Sequence, residues 1–204
     1  MRQLMSVLGA AVLLVAAGCG SNGSGVGTPS PTTAAPALRG IPVAEPIVAP
    51  SISLHDQHGK PVRLSTYRGE FTIVTFLYTR CRDVCPVIAD QLNEALRRLS
   101  RAGYPANVLA VSVDPRGDTR AAVTRFARAH RLLPRFHYLL GSAAELRPSW
   151  RAYHVAADPD SSDTAVAHSA FEVLIDRSGR ERVYYTSQVR AADVAADVRT
   201  LARP

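Results

Sequence analysis

The chain has 204 residues, enough for one domain and an appendage, and 47% of them are hydrophobic, enough for a packed core. A formal charge of +7 raises the question of a nucleic-acid partner, but Lys60 is the only lysine and the arginines are scattered. Arg97, Arg98 and Arg101, the densest group, read as the solvated face of one helix, so the charge argues against nucleic acid and is compatible with an anionic membrane surface.

In chain order, Met1–Gly18 comes first: one arginine, an apolar run from Leu4 to Ala17, then small residues before Cys19. This is the layout of a secretory signal peptide, and the run falls short of the roughly 20 apolar residues that span a bilayer. A cysteine after Ala17-Gly18 resembles a bacterial lipobox with Ala16 in place of the usual leucine. We expect Cys19 to carry lipid, which places the protein on the outer face of the cytoplasmic membrane. Residues 19–50 are rich in Gly, Ser, Thr, Pro and Ala and read as a flexible tether. The folded domain is expected over residues 51–204.

Within it, Ser53–His55 and Pro61–Leu64 flank Asp56-Gln57-His58-Gly59 and predict an N-terminal hairpin. Phe71–Tyr78 is a continuous β-branched and aromatic run, as in a strand buried on both faces. A helix follows, with Pro86 in its first turn and Ile88, Leu92, Leu96 and Leu99 on one face. Val108–Val113 predicts a strand, Arg120–Arg131 a helix, Tyr138–Leu140 a short strand and Glu145–Tyr153 a helical stretch. After a polar loop, Phe171–Ile175 and Arg182–Tyr185 form a hairpin, and Ala191–Ala202 closes the chain as a helix. The order predicts an α/β, thioredoxin-like fold: a central mixed sheet flanked by helices, with an N-terminal β-hairpin.

Chemistry concentrates in Thr79-Arg80-Cys81-Arg82-Asp83-Val84-Cys85-Pro86, between the buried strand and its helix. Sites collect at such carboxyl ends of strands, and a helix N-terminus favours the thiolate that binds metal or attacks disulfides. Thioredoxin-type dithiols leave two residues between the cysteines; here there are three. Two thiolates suit soft Cu(I), whereas zinc wants further ligands that no second Cys or Cys-His motif supplies. The spacing leaves metal binding, redox exchange and a structural disulfide open.

Three blocks sharpen the reading: Phe76-Leu77-Tyr78-Thr79-x-Cys81-x-x-x-Cys85-Pro86; Val111-Ser112-Val113-Asp114-Pro115-x-x-Asp118-Thr119; and His168-Ser169 before Leu174-Ile175-Asp176-x-x-Gly179. In this order, and from about Ser51 to the C-terminus, the chain resembles the SCO/SenC family. The resemblance implies a thioredoxin fold, tethering to a membrane on its outer face, and copper held by two cysteines and a histidine. It also implies a role in assembling the binuclear copper centre of cytochrome c oxidase, by donating metal, by reducing the cysteines of the copper-bearing subunit, or both.

By this resemblance Cys81 and Cys85 are thiolate ligands and His168 supplies the imidazole, taking Cu(I), with Cu(II) also open, after a thiol reductant has acted on the pair. The family's aspartate before the histidine is replaced by Ala167. The other five histidines, His55, His58, His130, His137 and His154, have no evident partner in the sequence. Asp114 is expected either to contact a metal-bound water or a partner protein, or to cap the turn before Pro115. Asp118 with Thr119 reads as a helix N-cap. The rival function is an extracytoplasmic thiol–disulfide oxidoreductase or peroxide reductase on the same fold, which would not need His168.

Overall fold

The computed structural model describes residues 37–157 and 171–203. Its centre is β4 (Phe71–Leu77), parallel to β5 (Ala106–Ser112), which is in turn parallel to β6 (Phe136–Leu140). Every residue of β4 and β5 is buried, as continuous apolar runs require when both faces of a sheet are covered. The parallel links are made by α1 (Val84–Arg101) and α2 (Arg120–Ala129).

On one side of the centre β6 pairs antiparallel with β2 (Ser53–Asp56), which forms the predicted hairpin with β3 (Pro61–Arg63). On the other, β4 pairs antiparallel with β7 (Phe171–Ile175), and β7 with β8 (Glu181–Thr186). A two-residue strand, β1 (Ile41–Pro42), closes that edge against β8. The mixed sheet therefore has eight strands in the order β1-β8-β7-β4-β5-β6-β2-β3. Helix α4 (Ala191–Leu201) packs on α1, and α3 (Ala143–Ala152) lies against β5, where Trp150 donates its indole N–H to the Ser112 carbonyl at 2.9 Å. Among the described residues no helix is long and apolar enough to cross a membrane.

Two boundaries differ from the sequence reading. Helix α3 starts earlier, at Ala143, because Ser142 and Glu145 form a reciprocal capping box that satisfies its first N–H groups. More consequentially, residues expected as the end of the tether are fastened to the domain. Asp197, buried on α4, accepts the N–H of Arg39 at 2.6 Å, the N–H of Gly40 at 3.0 Å and the Tyr185 hydroxyl at 2.8 Å. Val43, Ala49 and Glu181 add backbone bonds between this strap and the β7–β8 hairpin. Backbone pairing needs no apolar side chain, so a Pro- and Ala-rich segment can be held without the hydrophobic pattern that would reveal it. Gly40 is required for the fit: a Cβ there would overlap Val183 and the Tyr184 carbonyl.

Candidate metal centre

β4 delivers the chain to the rim of the sheet, where a turn forms with the Cys81 N–H on the Tyr78 carbonyl at 3.3 Å. Helix α1 begins at Val84 and places Cys85 in its first turn, facing the core. Asp83 makes no side-chain cap, so the first N–H groups of the helix are free for the sulfur: the Cys85 N–H donates to Cys81 Sγ at 3.4 Å. Both cysteines are free thiols, Cys81 8% exposed and Cys85 fully enclosed.

The two thiols are held unequally. Burial raises the Cys81 pKa, but the N–H groups of Cys85 and Asp83, the Cys85 thiol and the Tyr78 hydroxyl together outweigh it, and the net shift is downward. At Cys85 burial dominates, and the charges of Cys81 and Asp118 reinforce it, so its thiol is pushed far up. The Tyr78 hydroxyl is pushed up to about 12, first by burial and then by its contact with Cys81. Cys81 is thus the more acidic of the two thiols, and Cys85 the one that burial holds protonated.

The turn after β5 holds the dithiol loop in place. Asp118, 4% exposed, accepts the Thr79 N–H at 2.8 Å and the Thr79 hydroxyl at 2.7 Å through Oδ1. Its Oδ2 accepts the hydroxyls of Ser112 at 2.6 Å and Tyr138 at 3.2 Å. Thr119, not Asp118, caps α2, its hydroxyl accepting the Ala122 N–H at 3.2 Å. The expected capping role of Asp118 is therefore corrected: the side chain points inward and ties two segments of the sheet rim together.

Asp114 faces within the domain as well. It accepts the Gly117 N–H at 2.9 Å, as a turn-capping carboxylate does, and pairs with Arg80 Nε at 2.8 Å. Gly117 permits that approach, since a Cβ there would overlap both partners.

His168 lies outside the described residues, as does Cys19. Among the described residues no cluster of three or more His, Cys, Asp or Glu gathers. Three of the five described histidines have partners elsewhere: His130 Nδ1 lies 2.8 Å from Asp90, His137 lies against Tyr67 with Asp56 at 3.8 Å, and His58 meets Gln57. Two soft sulfur donors at a helix start fit a thiophilic ion, and with only two of them described such a centre has room for an outside third ligand.

The SCO1/SenC family model matches residues 44–203, most of the chain and all of the strands and helices just described except β1. The chain belongs to the SCO1/SenC family. Among its SCO1/SenC relatives, the mitochondrial SCO2 homolog of Bos taurus is 33% identical over 151 residues, 71% of this chain and 56% of that protein. The chain spans about half the length of the curated relatives it matches first. The ScoI structure of Bradyrhizobium japonicum with copper bound superposes with a TM-score of 0.64 at 29% identity, over 75% of this chain and 98% of that one. Apo Sco1 of Thermus thermophilus gives 0.67 at 28% identity, over 81% and 97%. The thioredoxin-like arrangement expected from the sequence is the one these SCO1/SenC structures share.

Proposed function

We propose that the protein is a copper chaperone that takes up Cu(I), with Cu(II) as a further state, through Cys81, Cys85 and His168. In this reading it passes the metal to the copper-bearing subunit of a cytochrome c oxidase. The observation that carries the proposal is the pair of free thiols itself: Cys81 Sγ accepts the Cys85 N–H at the start of α1, and its pKa is shifted downward. A relative with the same fold is solved with copper bound, which supports copper as the cargo. Thiolates and imidazole bind only when deprotonated, so loading releases protons, and a thiol reductant must keep the pair open outside the cytoplasm. A lipid on Cys19 at the outer face of the membrane would hold the chaperone beside a membrane-embedded recipient.

Anaerobic copper titration of the reduced protein tests this. One equivalent should bind with X-ray absorption showing sulfur neighbours; Cys81→Ala or Cys85→Ala should abolish stoichiometric binding, and His168→Ala should weaken it. Unchanged affinity in the double cysteine variant would end the proposal.

One observation favours a second reading, thiol–disulfide exchange. The pair has the asymmetry of a nucleophile and a resolving thiol. The Cys81 thiolate would attack a partner disulfide, forming a mixed disulfide and releasing one partner thiolate. Cys85 would then lose its proton, attack Cys81 and release the second, so that two electrons pass to the partner. Reductase activity that survives in His168→Ala and is lost in Cys85→Ala would favour this reading.

A further inference from the structure

A groove of about 370 Å³ runs between the dithiol loop and α2, beside Thr79 and Arg80. Its apolar lining comes from Ala122, Phe126 and Ala129 of α2, and Arg80 and Arg125 line it as well. Arg80 is half exposed, and its ion pair with Asp114 uses Nε, fixing the guanidinium at the rim one residue from Cys81. His130, also lining the groove, is committed to Asp90.

Arginine dominates the surface onto which the groove opens, with the exposed Asp90 of α1, bonded to His130, the acid at its edge. Arg120, Arg125 and Arg128 are exposed on α2, Arg131 follows it, and the helix contains no acidic residue. None of these four arginines makes an ion pair among the described residues. Asp118, the nearest acid in sequence, is turned inward. The opposite flank differs: on α1, Glu94 and Arg98 neutralise each other at 2.9 Å, and Val87, in the first turn, is exposed. The dithiol thus has the arginine-rich α2 on one side, and on the other α1, where acidic and basic residues are mixed.

We propose that α2 and its groove form the docking face for an acidic protein partner of the dithiol, a glutamate or aspartate of the partner lying in the groove against Arg80 and Arg125. The chemistry selects a carboxylate on an apolar stem: methylenes cover Phe126 and Ala122 while the oxygens accept bidentate hydrogen bonds from guanidinium N–H groups. A lipid headgroup would meet the arginines but leave the apolar lining of Ala122 and Phe126 uncovered. Uncompensated charge beside a reactive centre raises the encounter rate with oppositely charged partners and sets their orientation, an effect that salt screens. This inference rests on the reading of Cys81 and Cys85 as the groups that meet a partner, and adds which partners reach them.

The test uses the reduced full chain and two peptides, each with one cysteine joined by a disulfide to thionitrobenzoate. One is flanked by glutamates and the other by lysines. Reaction oxidises the dithiol by two electrons, reduces the probe disulfide and releases the coloured thiol. At about 20 mM salt the glutamate peptide should react about tenfold faster, and at about 300 mM the preference should shrink to near unity. Arg125→Glu with Arg128→Glu should abolish the preference, whereas Arg63→Glu with Arg199→Glu, remote controls of equal charge change, should retain most of it. A preference unaltered by the α2 pair, or lost equally in the controls, overturns the proposal. So does binding to anionic phosphatidylglycerol vesicles that depends on Arg125 and Arg128 while the peptides show no preference. Copper titration of the same variants separates the two readings. Charge selectivity without copper binding leaves the docking face standing and removes the chaperone; copper binding without selectivity does the reverse.

Discussion

Asp118 grips Thr79 twice, its Oδ1 accepting both the backbone N–H at 2.8 Å and the hydroxyl at 2.7 Å. The other oxygen is occupied by Ser112 and Tyr138, so one enclosed carboxylate serves four donors from three segments. Asp118→Ala would leave those donors without an acceptor inside the protein, at a cost of about 1–3 kcal/mol for each that water cannot reach. We expect the unfolding midpoint in urea to fall markedly in Asp118→Ala. Asp118→Asn should lose much less, since it keeps an acceptor for Thr79 and the two hydroxyls can rotate. Equal stability of the alanine variant and wild type would show that the grip is incidental.

Alkylation should distinguish the two sulfurs. Burial opposes ionisation at both, but only at Cys81 do donated hydrogen bonds overcome it. With iodoacetamide near neutral pH, mass spectrometry should find Cys81 modified at least about tenfold faster than Cys85. The Cys81 rate should rise with pH with its midpoint below 9.0, the ordinary cysteine value. Preferential labelling of Cys85 would reverse the assignment of nucleophile.

Glu172 gives the fold a pH dependence of its own. Its side chain is fully buried on β7; among the described residues Oε1 accepts only the Thr75 hydroxyl at 3.4 Å, and Oε2 has no partner. Burial raises its pKa to about 8, against the opposing Thr75 bond, from an ordinary 4.5. The folded state therefore holds a proton that the unfolded chain gives up between these values. The stabilisation is complete below about 4.5 and is lost as pH rises through about 8, a change on the order of a few kcal/mol. Urea unfolding between these limits should show stability falling with pH, and Glu172→Gln should flatten the slope. A slope that persists in Glu172→Gln assigns it to other groups.

The strap offers a fourth test. Gly40→Val puts a side chain where Val183 and Tyr185 already pack, and Asp197→Ala removes the acceptor of two strap N–H groups. Either change should speed hydrogen exchange across residues 39–49 and cost about 1–3 kcal/mol, with exchange in β4 and β5 least affected. Unaltered exchange over the strap would mean that its contacts to β8 do not hold it.

The central strands and the two cysteines were readable in the chain because their signals are local. Phe71–Leu77 is uninterruptedly apolar or β-branched, and Cys81 and Cys85 stand directly between it and a helix whose apolar face repeats at Ile88, Leu92 and Leu96. Asp118 was misread because its partner Thr79 lies 39 positions away and Asp-Thr before a helix also spells a cap. The strap was missed for a related reason: Asp197 binds Arg39 and Gly40 across more than 150 residues, and backbone N–H groups are the same in every sequence. Composition reports what a segment can bury, and says nothing about where its amides find acceptors.

Pinned at Thr79 by Asp118 and at Cys85 by the first turn of α1, the intervening stretch is a short arch with both feet fixed. Cys81 occupies the crown and Cys85 the enclosed foot, so the first sulfur is the less buried of the two. An arch so anchored ties the position of both sulfurs to the sheet rim and the start of α1.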